Sequence, residues 1–265
     1  MINLFRQIRH NLMKTGNSSR SIMPSGRYLK YAVGEILLVV IGILLALQIN
    51  NWNENRKAYN KSKMYLSEIL KDLAADTVAI NRSIGYTNEY LNKTRWGLKK
   101  TTFSPHDVDS IWMSIGGFFS TLPLNNRTFQ KIQNAGESKL VGFDSIYDKI
   151  SYYYTNTHIW YNRFAEWDIQ STVERQEYHQ ELEDQVEISN YRLKLLGRET
   201  ATELFPSIQD SLKQAERLIE FVLSPGGRNH LKNNYVRHMR GITVFDNTKS
   251  ETIKLIEEIN NVLNE

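Results

Sequence analysis

The chain has 265 residues, with 33 basic against 29 acidic side chains, a net charge of +4 and no cysteine. The missing cysteines exclude a disulfide framework. The positive balance does not mark a nucleic-acid binder: Arg6, Arg9, Lys14, Arg20, Arg27 and Lys30 carry it, no acid lies among residues 1–30, and the remainder is slightly acidic.

Residues 1–30 form the expected basic amphipathic head and linker. Leu4, Phe5, Ile8 and Leu12 share a helical face from which Arg6, Arg9 and Lys14 mostly diverge, the pattern of a short helix resting on anionic lipid. Residues 15–26, rich in Ser, Gly, Asn and Pro, predict a loose link.

Residues 31–51, YAVGEILLVVIGILLALQINN, predict a transmembrane helix. At about 1.5 Å per residue this stretch reaches across a hydrocarbon core of roughly 30 Å. Glu35 opposes insertion but lies near one end, where it can snorkel, and the eleven Val, Ile and Leu side chains from Val33 to Leu47 outweigh it. Tyr28, Tyr31 and Trp52 fall at the expected interfaces. Gly42 and Ala46 make a small-xxx-small pair, a candidate transmembrane helix contact and a route to a homo-oligomer. Six basic residues precede the span, and Arg56, Lys57, Lys61 and Lys63 come after it. The bias predicts an amino terminus inside, an inner-membrane single-pass topology, and an extracytoplasmic domain over residues 52–265.

Beyond the span, Leu66, Leu70, Leu73, Thr77, Ile80, Ile84, Thr87, Leu91, Thr94 and Leu98 keep an alternating four-three spacing, so a long amphipathic helix is expected to continue from the anchor. Ser104, Pro105 and Asp107 read as the start of a short helix ending at Gly116-Gly117. A second short helix is expected over residues 127–135, with Gly136 just past its end. Asp144 is expected to cap a second long segment whose seam is Ile146, Ile150, Tyr153, Thr157, Trp160, Phe164, Trp167 and Ser171, continuing more weakly through Leu182, Val186 and Leu193. Two seams of one period predict an antiparallel pair. Ser207 and Asp210 open a helix over residues 208–223 that stops at Ser224-Pro225-Gly226-Gly227. A short piece over residues 230–240 and a last helix from Asn247 close the chain, with the β-leaning residues 242–245 between them. The fold class is all-α: one amino-terminal transmembrane helix continuing into an elongated antiparallel helical bundle.

The span and its exit, Gly34-Glu35-Ile36, Val40-Ile41-Gly42-Ile43 and Ala46-Leu47-Gln48-Ile49-Asn50-Asn51-Trp52-Asn53-Glu54, resemble the opening of an uncharacterised membrane-anchored family of the Bacteroidota. Phe129-Gln130-Lys131-Ile132-Gln133-Asn134-Ala135-Gly136 is a looser second resemblance, departing at Ala135 from the Ser often found in that family. The resemblance implies an envelope protein and carries no reaction, cofactor or catalytic residue.

No metal-binding His/Glu signature, phosphate-cradling glycine loop or nucleophile elbow occurs in the sequence, so no catalytic residue, cofactor or metal ligand is assigned. His230 and His238 are expected at the surface. Glu174, Glu177, Glu181 and Asp184 share a face expected to be solvated. The aromatic cluster around Tyr152, Tyr153, Tyr154, Trp160, Tyr161, Phe164 and Trp167 goes all round its helix, so one seam cannot bury every ring. Tyr152, Trp160, Tyr161 and Trp167 are therefore candidates for a groove that takes a partner or ligand, the alternative being core packing. The expected partners are the lipid bilayer and an unidentified envelope protein. The expected function is non-catalytic binding or scaffolding, with a ligand-sensing bundle acting on a separate membrane protein as the other reading.

Overall fold

A computed structural model describes residues 25–116, 121–188, 203 and 205–264, with the side chains of 25–31 and 176–179 left outside the description. The head, the link up to residue 24, and Leu193 lie outside the described residues. Among the described residues there are helices and no strand: α1 (Ser25–Lys99), a 3-10 turn (Pro105–Asp107), α2 (Val108–Ile115), α3 (Arg127–Asn134), α4 (Asp144–Tyr152), a π-helical turn (Tyr153–Thr157), α5 (His158–Glu183), α6 (Ser211–Leu223) and α7 (Pro225–Asn264).

The chain divides into two units, Met1–Arg56 and Lys57–Glu265. In the first, α1 carries the one stretch among the described residues that is long and apolar enough to cross a membrane, and none of that stretch is buried. Its Val, Ile and Leu side chains from Val33 to Ile49 are all exposed.

In the second unit, residues 57–99 of α1 bury the expected seam. Leu66, Leu73, Ile80, Thr87, Leu91 and Thr94 are buried, and Leu70, Thr77, Ile84 and Leu98 are half-buried. The seam also buries Asp72, Asp76 and Ser83, which the four-three pattern did not mark. These three hold the segment after α2. The Asp72 carboxylate accepts from Thr128 N–H at 3.0 Å and Asp76 from Asn125 N–H at 2.6 Å, while Ser83 Oγ accepts from Leu122 N–H at 3.0 Å. They thereby satisfy the Thr128 donor in the first turn of α3 and two backbone donors in the segment before it, none of which a helical bond reaches.

Three apolar clusters set the directions of the long helices. Leu66, Ile69 and Leu73 meet Ile146, Ile150 and Tyr153 together with Leu255 and Ile259. Ile80 meets Tyr161 and Phe245. Trp96 and Leu98 meet Leu182, Val186 and Leu231, along with α2 and α6. Residue numbers on α1 and on α4–α5 rise together, and those on α7 fall. The expected antiparallel pairing of α1 with α4–α5 is thus corrected: those two run parallel, because the segment between α1 and α4 carries the chain back, and α7 is the antiparallel partner of both.

Local signals account for most helix ends. The Asp107 carboxylate accepts from Ser104 N–H at 2.9 Å. Gly136 follows α3 with φ of 70°. Asp210 caps α6, accepting from Leu212 N–H at 2.8 Å, so that helix begins at Ser211 rather than residue 208. Phe143, not Asp144, is the cap residue of α4. The last carbonyls of α1 are taken up by the Arg228 guanidinium, which donates to Gly97, Leu98 and Lys100 O at 2.9, 2.6 and 3.1 Å.

Two further expectations are corrected. Helix α7 is one element of 40 residues, not two. The Ser-Pro-Gly-Gly stop is also a start: Ser224 Oγ accepts from Gly227 N–H at 3.0 Å, and Pro225 opens the helix. A Cβ on Gly227 would stand 2.1 Å from Phe221 O, so the turn requires glycine there. Residues 242–245 stay helical because burial of Phe245 outweighs their weak β propensity.

The second concerns the α4–α5 seam. It is read correctly through Tyr153 and then slips by one residue. Within and after the π-helical turn the buried positions are Tyr154, His158, Tyr161, Asp168, Ser171 and Thr172; of the expected seam Ser171 is buried, Thr157 and Phe164 are half-buried, and Trp160 and Trp167 are exposed. A π turn holds one residue more than an α turn, so everything after it rotates by one position. Deleting exposed Thr155 should restore a plain four-three helix and leave Tyr161 and Asp168 facing inward, so a cooperative thermal melt is expected to survive. Deleting exposed Glu166 rotates only the residues after it, takes Asp168 and Thr172 out of the core, and should abolish the cooperative transition. Circular dichroism melts of the two deletions check this.

Candidate functional site

Helices α5 and α7 run side by side, joined by a layered interior. Tyr153 and Thr252 share a hydroxyl hydrogen bond of 2.9 Å. The Tyr161 and Phe245 rings lie 5.8 Å apart. Next, Phe164 meets Phe245 edge-on at 5.6 Å, and Gly241 leaves room for it, since a Cβ there would stand 3.3 Å from Phe164 Cζ. Beyond that layer the buried Arg237 guanidinium pairs with the buried Asp168 carboxylate at 2.5 Å and donates to Thr172 Oγ1 at 2.8 Å. Thr121 Oγ1 donates to the other Asp168 oxygen at 3.2 Å.

On the outer side of this pair lies an open groove of about 650 Å³. Trp160, Arg163, Phe164 and Trp167 form one wall, and Tyr235, Val236, Met239, Arg240, Thr243 and Val244 form the other. Phe164 is the floor, half-buried, with one side on the core cluster and the other toward the groove. The Arg163 guanidinium lies 5.3 Å over Trp160 and the Arg240 guanidinium 5.5 Å over Trp167, so each cation sits on an aromatic face.

The four candidate aromatics separate. Trp160, 66 % exposed, and Trp167, 37 % exposed, line the groove together. Tyr161 does not: it is fully buried and donates its hydroxyl to Leu122 O at 2.6 Å, and burial pushes its phenol up to about 12. Its placement among groove residues is corrected, the cause being the one-residue slip. Tyr152 is 62 % exposed but belongs to a different surface hollow, shared with Glu251, Lys254 and Glu258. The α7 wall went unseen in the sequence although Val236, Met239/Arg240 and Thr243 repeat at helical spacing, because breaking α7 after residue 240 divided the stripe.

The histidines are corrected as well. His230 and His238 are buried, not at the surface. His230 Nε2 is 2.9 Å from Ile115 O, and the His238 ring stacks on Tyr90 at 5.9 Å. Burial lowers the affinity of His158 and His230 for a proton, and burial together with the adjacent Arg237 cation pushes His238 down to about 3. Burial pushes the Asp76 carboxyl the other way, up to about 6, against the Asn125 donors. Glu174, Glu181 and Asp184 are exposed, and the side chain of Glu177 lies outside the described residues. Among the described residues no cluster of His, Asp and Glu is arranged to hold a metal ion. Gly42 and Ala46 lie one turn apart on α1, and a Cβ on Gly42 would meet nothing within 4 Å.

Residues 35–128 match a family of unknown function, DUF6090. The match takes in the span and its exit and stops one residue before the Phe129 motif. It covers about a third of the chain and supports an uncharacterised domain over that stretch. No curated protein and no solved structure matches the chain.

Two outcomes are expected from this geometry. Trp160→Ala should change stability by less than about 0.5 kcal/mol, as an exposed substitution, whereas Tyr161→Ala should cost about 3–5 kcal/mol, as loss of a buried aromatic; urea unfolding of both variants distinguishes them. The histidines also give the fold a pH dependence. Their folded affinities are lowered, so the stability they contribute is complete above the unfolded value of 6.5 and is lost as pH falls below it. For His238 the loss between pH 7 and pH 5 is about 2 kcal/mol. Asp76 acts oppositely, its stabilisation waning as pH rises from about 4 to about 6. The melting temperature of His238→Gln should therefore fall less than that of the parent between pH 7 and pH 5.

Proposed function

We propose that this chain is a membrane-anchored, non-catalytic binding protein whose helical unit docks a partner through the α5–α7 groove. The carrying observation is the groove itself. Trp160 and Trp167 are held at the surface beside Phe164, Val236 and Met239, over a floor locked to the core. Exposed aromatics with Met and Arg form the composition enriched at protein interfaces, and an apolar patch concentrated on one helix pair is a recognition feature. The exposed apolar stretch of α1 supports the anchor, since a helix bare of protein contacts over that length requires an apolar surrounding. The charge bias across the span supports an inner-membrane topology with the amino terminus inside and the helical unit outside.

A second reading is favoured by the size of the groove. A volume of about 650 Å³ suits a small apolar ligand, whose binding would be passed to a separate membrane protein. The two readings differ in a melt: a small ligand raises the melting temperature of the parent and not of Trp160→Ala, while a docking groove gives no such shift with metabolites.

The absence of native cysteine makes topology directly measurable. A single Cys at exposed Ser145 should react with a membrane-impermeant thiol reagent on intact spheroplasts; reaction only after lysis, in a protein shown to be folded, would place the helical unit in the cytoplasm.

A further inference from the structure

We propose that the occupant of the α5–α7 groove is an acidic, apolar helical segment of a partner protein, its carboxylates received by Arg163 and Arg240. The inference rests on the partner-docking reading and adds the chemistry of the partner.

The ten groove-lining residues include two arginines and no acid. Neither guanidinium makes an ion pair or hydrogen bond with a described residue; each is supported only by the ring beneath it, at 5.3 and 5.5 Å. A guanidinium over an indole still has N–H groups to offer, and their fork matches the two oxygens of a carboxylate. Outside the lining, Arg95 of α1 lies 5.8 Å over the ring of the groove residue Tyr235, its Nη1 donating to Asn92. The surface therefore offers a positive rim around an apolar floor.

Its dimensions fit a helix. Trp160 and Trp167, with Phe164 between them, stand seven residue steps apart on α5, about 10 Å at the helical rise. That length accommodates side chains at i, i+3 or i+4, and i+7 of a guest helix lying along the groove. Polarizable Met239 and the two indoles can mould to such anchors. Trp, Tyr, Met and Arg together are the composition of protein-binding hot spots, which favours a protein guest over an anionic lipid surface meeting the same arginines.

The test uses the full chain in zwitterionic nanodiscs and a displayed library of 15-residue amphipathic helices. Leu, Met or Phe varies at i, i+3, i+4 and i+7, with Glu, Gln or Lys at the flanking positions. Selected binders should be enriched in Glu and should bind Arg163→Glu/Arg240→Glu at least tenfold more weakly. Lys-for-Glu twins of those binders should prefer that charge-reversed variant. Binders lost with Trp160→Ser/Trp167→Ser but indifferent to Glu or Lys would overturn the acidic partner and leave the docking groove standing. A selection without any groove-dependent binder would overturn both. Phosphatidylglycerol vesicles held through the same two arginines, in preference to every selected peptide, would replace the protein guest with a lipid surface. All variants change exposed or half-exposed side chains, and parental melting curves are required of each before binding is compared.

Discussion

One extra residue in the turn between α4 and α5 decides what this surface is. Tyr153 and Tyr154 are adjacent and both buried, and they open the π-helical turn that shifts the inward register of the helix after it. Their rings pack edge to face at 5.1 Å, and Tyr154 stacks on Phe129 at 4.7 Å, so both positions are filled by large side chains. The cost is a rotation of everything downstream. Tyr161 turns in and Trp160 and Trp167 turn out, and a helix that would have buried its indoles displays them instead.

A second constraint is polar and lies in α1. Asp72, Asp76 and Ser83 clasp the segment from Leu122 to Thr128 by its backbone, and those bonds hold in place the strap that lets α4 start beside Leu66 instead of at the far end of α1. The stretch matching the family of unknown function ends at Thr128, the residue whose N–H Asp72 receives. That match takes in the apolar stretch, the seam of α1 and the clasped strap. The groove is built wholly from α5 and α7, outside it.

How much of the molecule was legible depends on which forces are local. Seams and caps depend on neighbours in sequence, so the α1 seam, the Ser104–Asp107 pair, Gly136 and the Asp210 cap could be read, to within a residue or a turn. Direction could not. Equal periods on two helices do not distinguish parallel from antiparallel, and only the returning strap settles it. The π turn was hidden for a different reason: a four-three pattern tolerates a one-residue slip wherever aromatics are dense enough to satisfy both registers, as Tyr153/Tyr154 and Trp160/Tyr161 do. His230 and His238 misled because histidine has no fixed preference for surface or core, and here carbonyl, aromatic and guanidinium neighbours make burial tolerable.

The slip also determines the charge of the groove. Arg237 and Arg240 stand one turn apart on α7, yet meet different fates. Arg237 is buried, and a buried guanidinium is tolerated only when paired, so it engages Asp168. Asp168 is available to it because the π turn has rotated this carboxylate inward, away from the side where Arg163 and Arg240 lie. In the unslipped register Trp167 would occupy the buried position and Asp168 would leave it. Arg237 would then lack its carboxylate, and Arg240 would lose the indole it rests on. One inserted residue thus places Asp168 inside the core and leaves two cations on aromatic faces outside it. The same rotation that exposes the two indoles takes the Asp168 carboxylate off the surface they share.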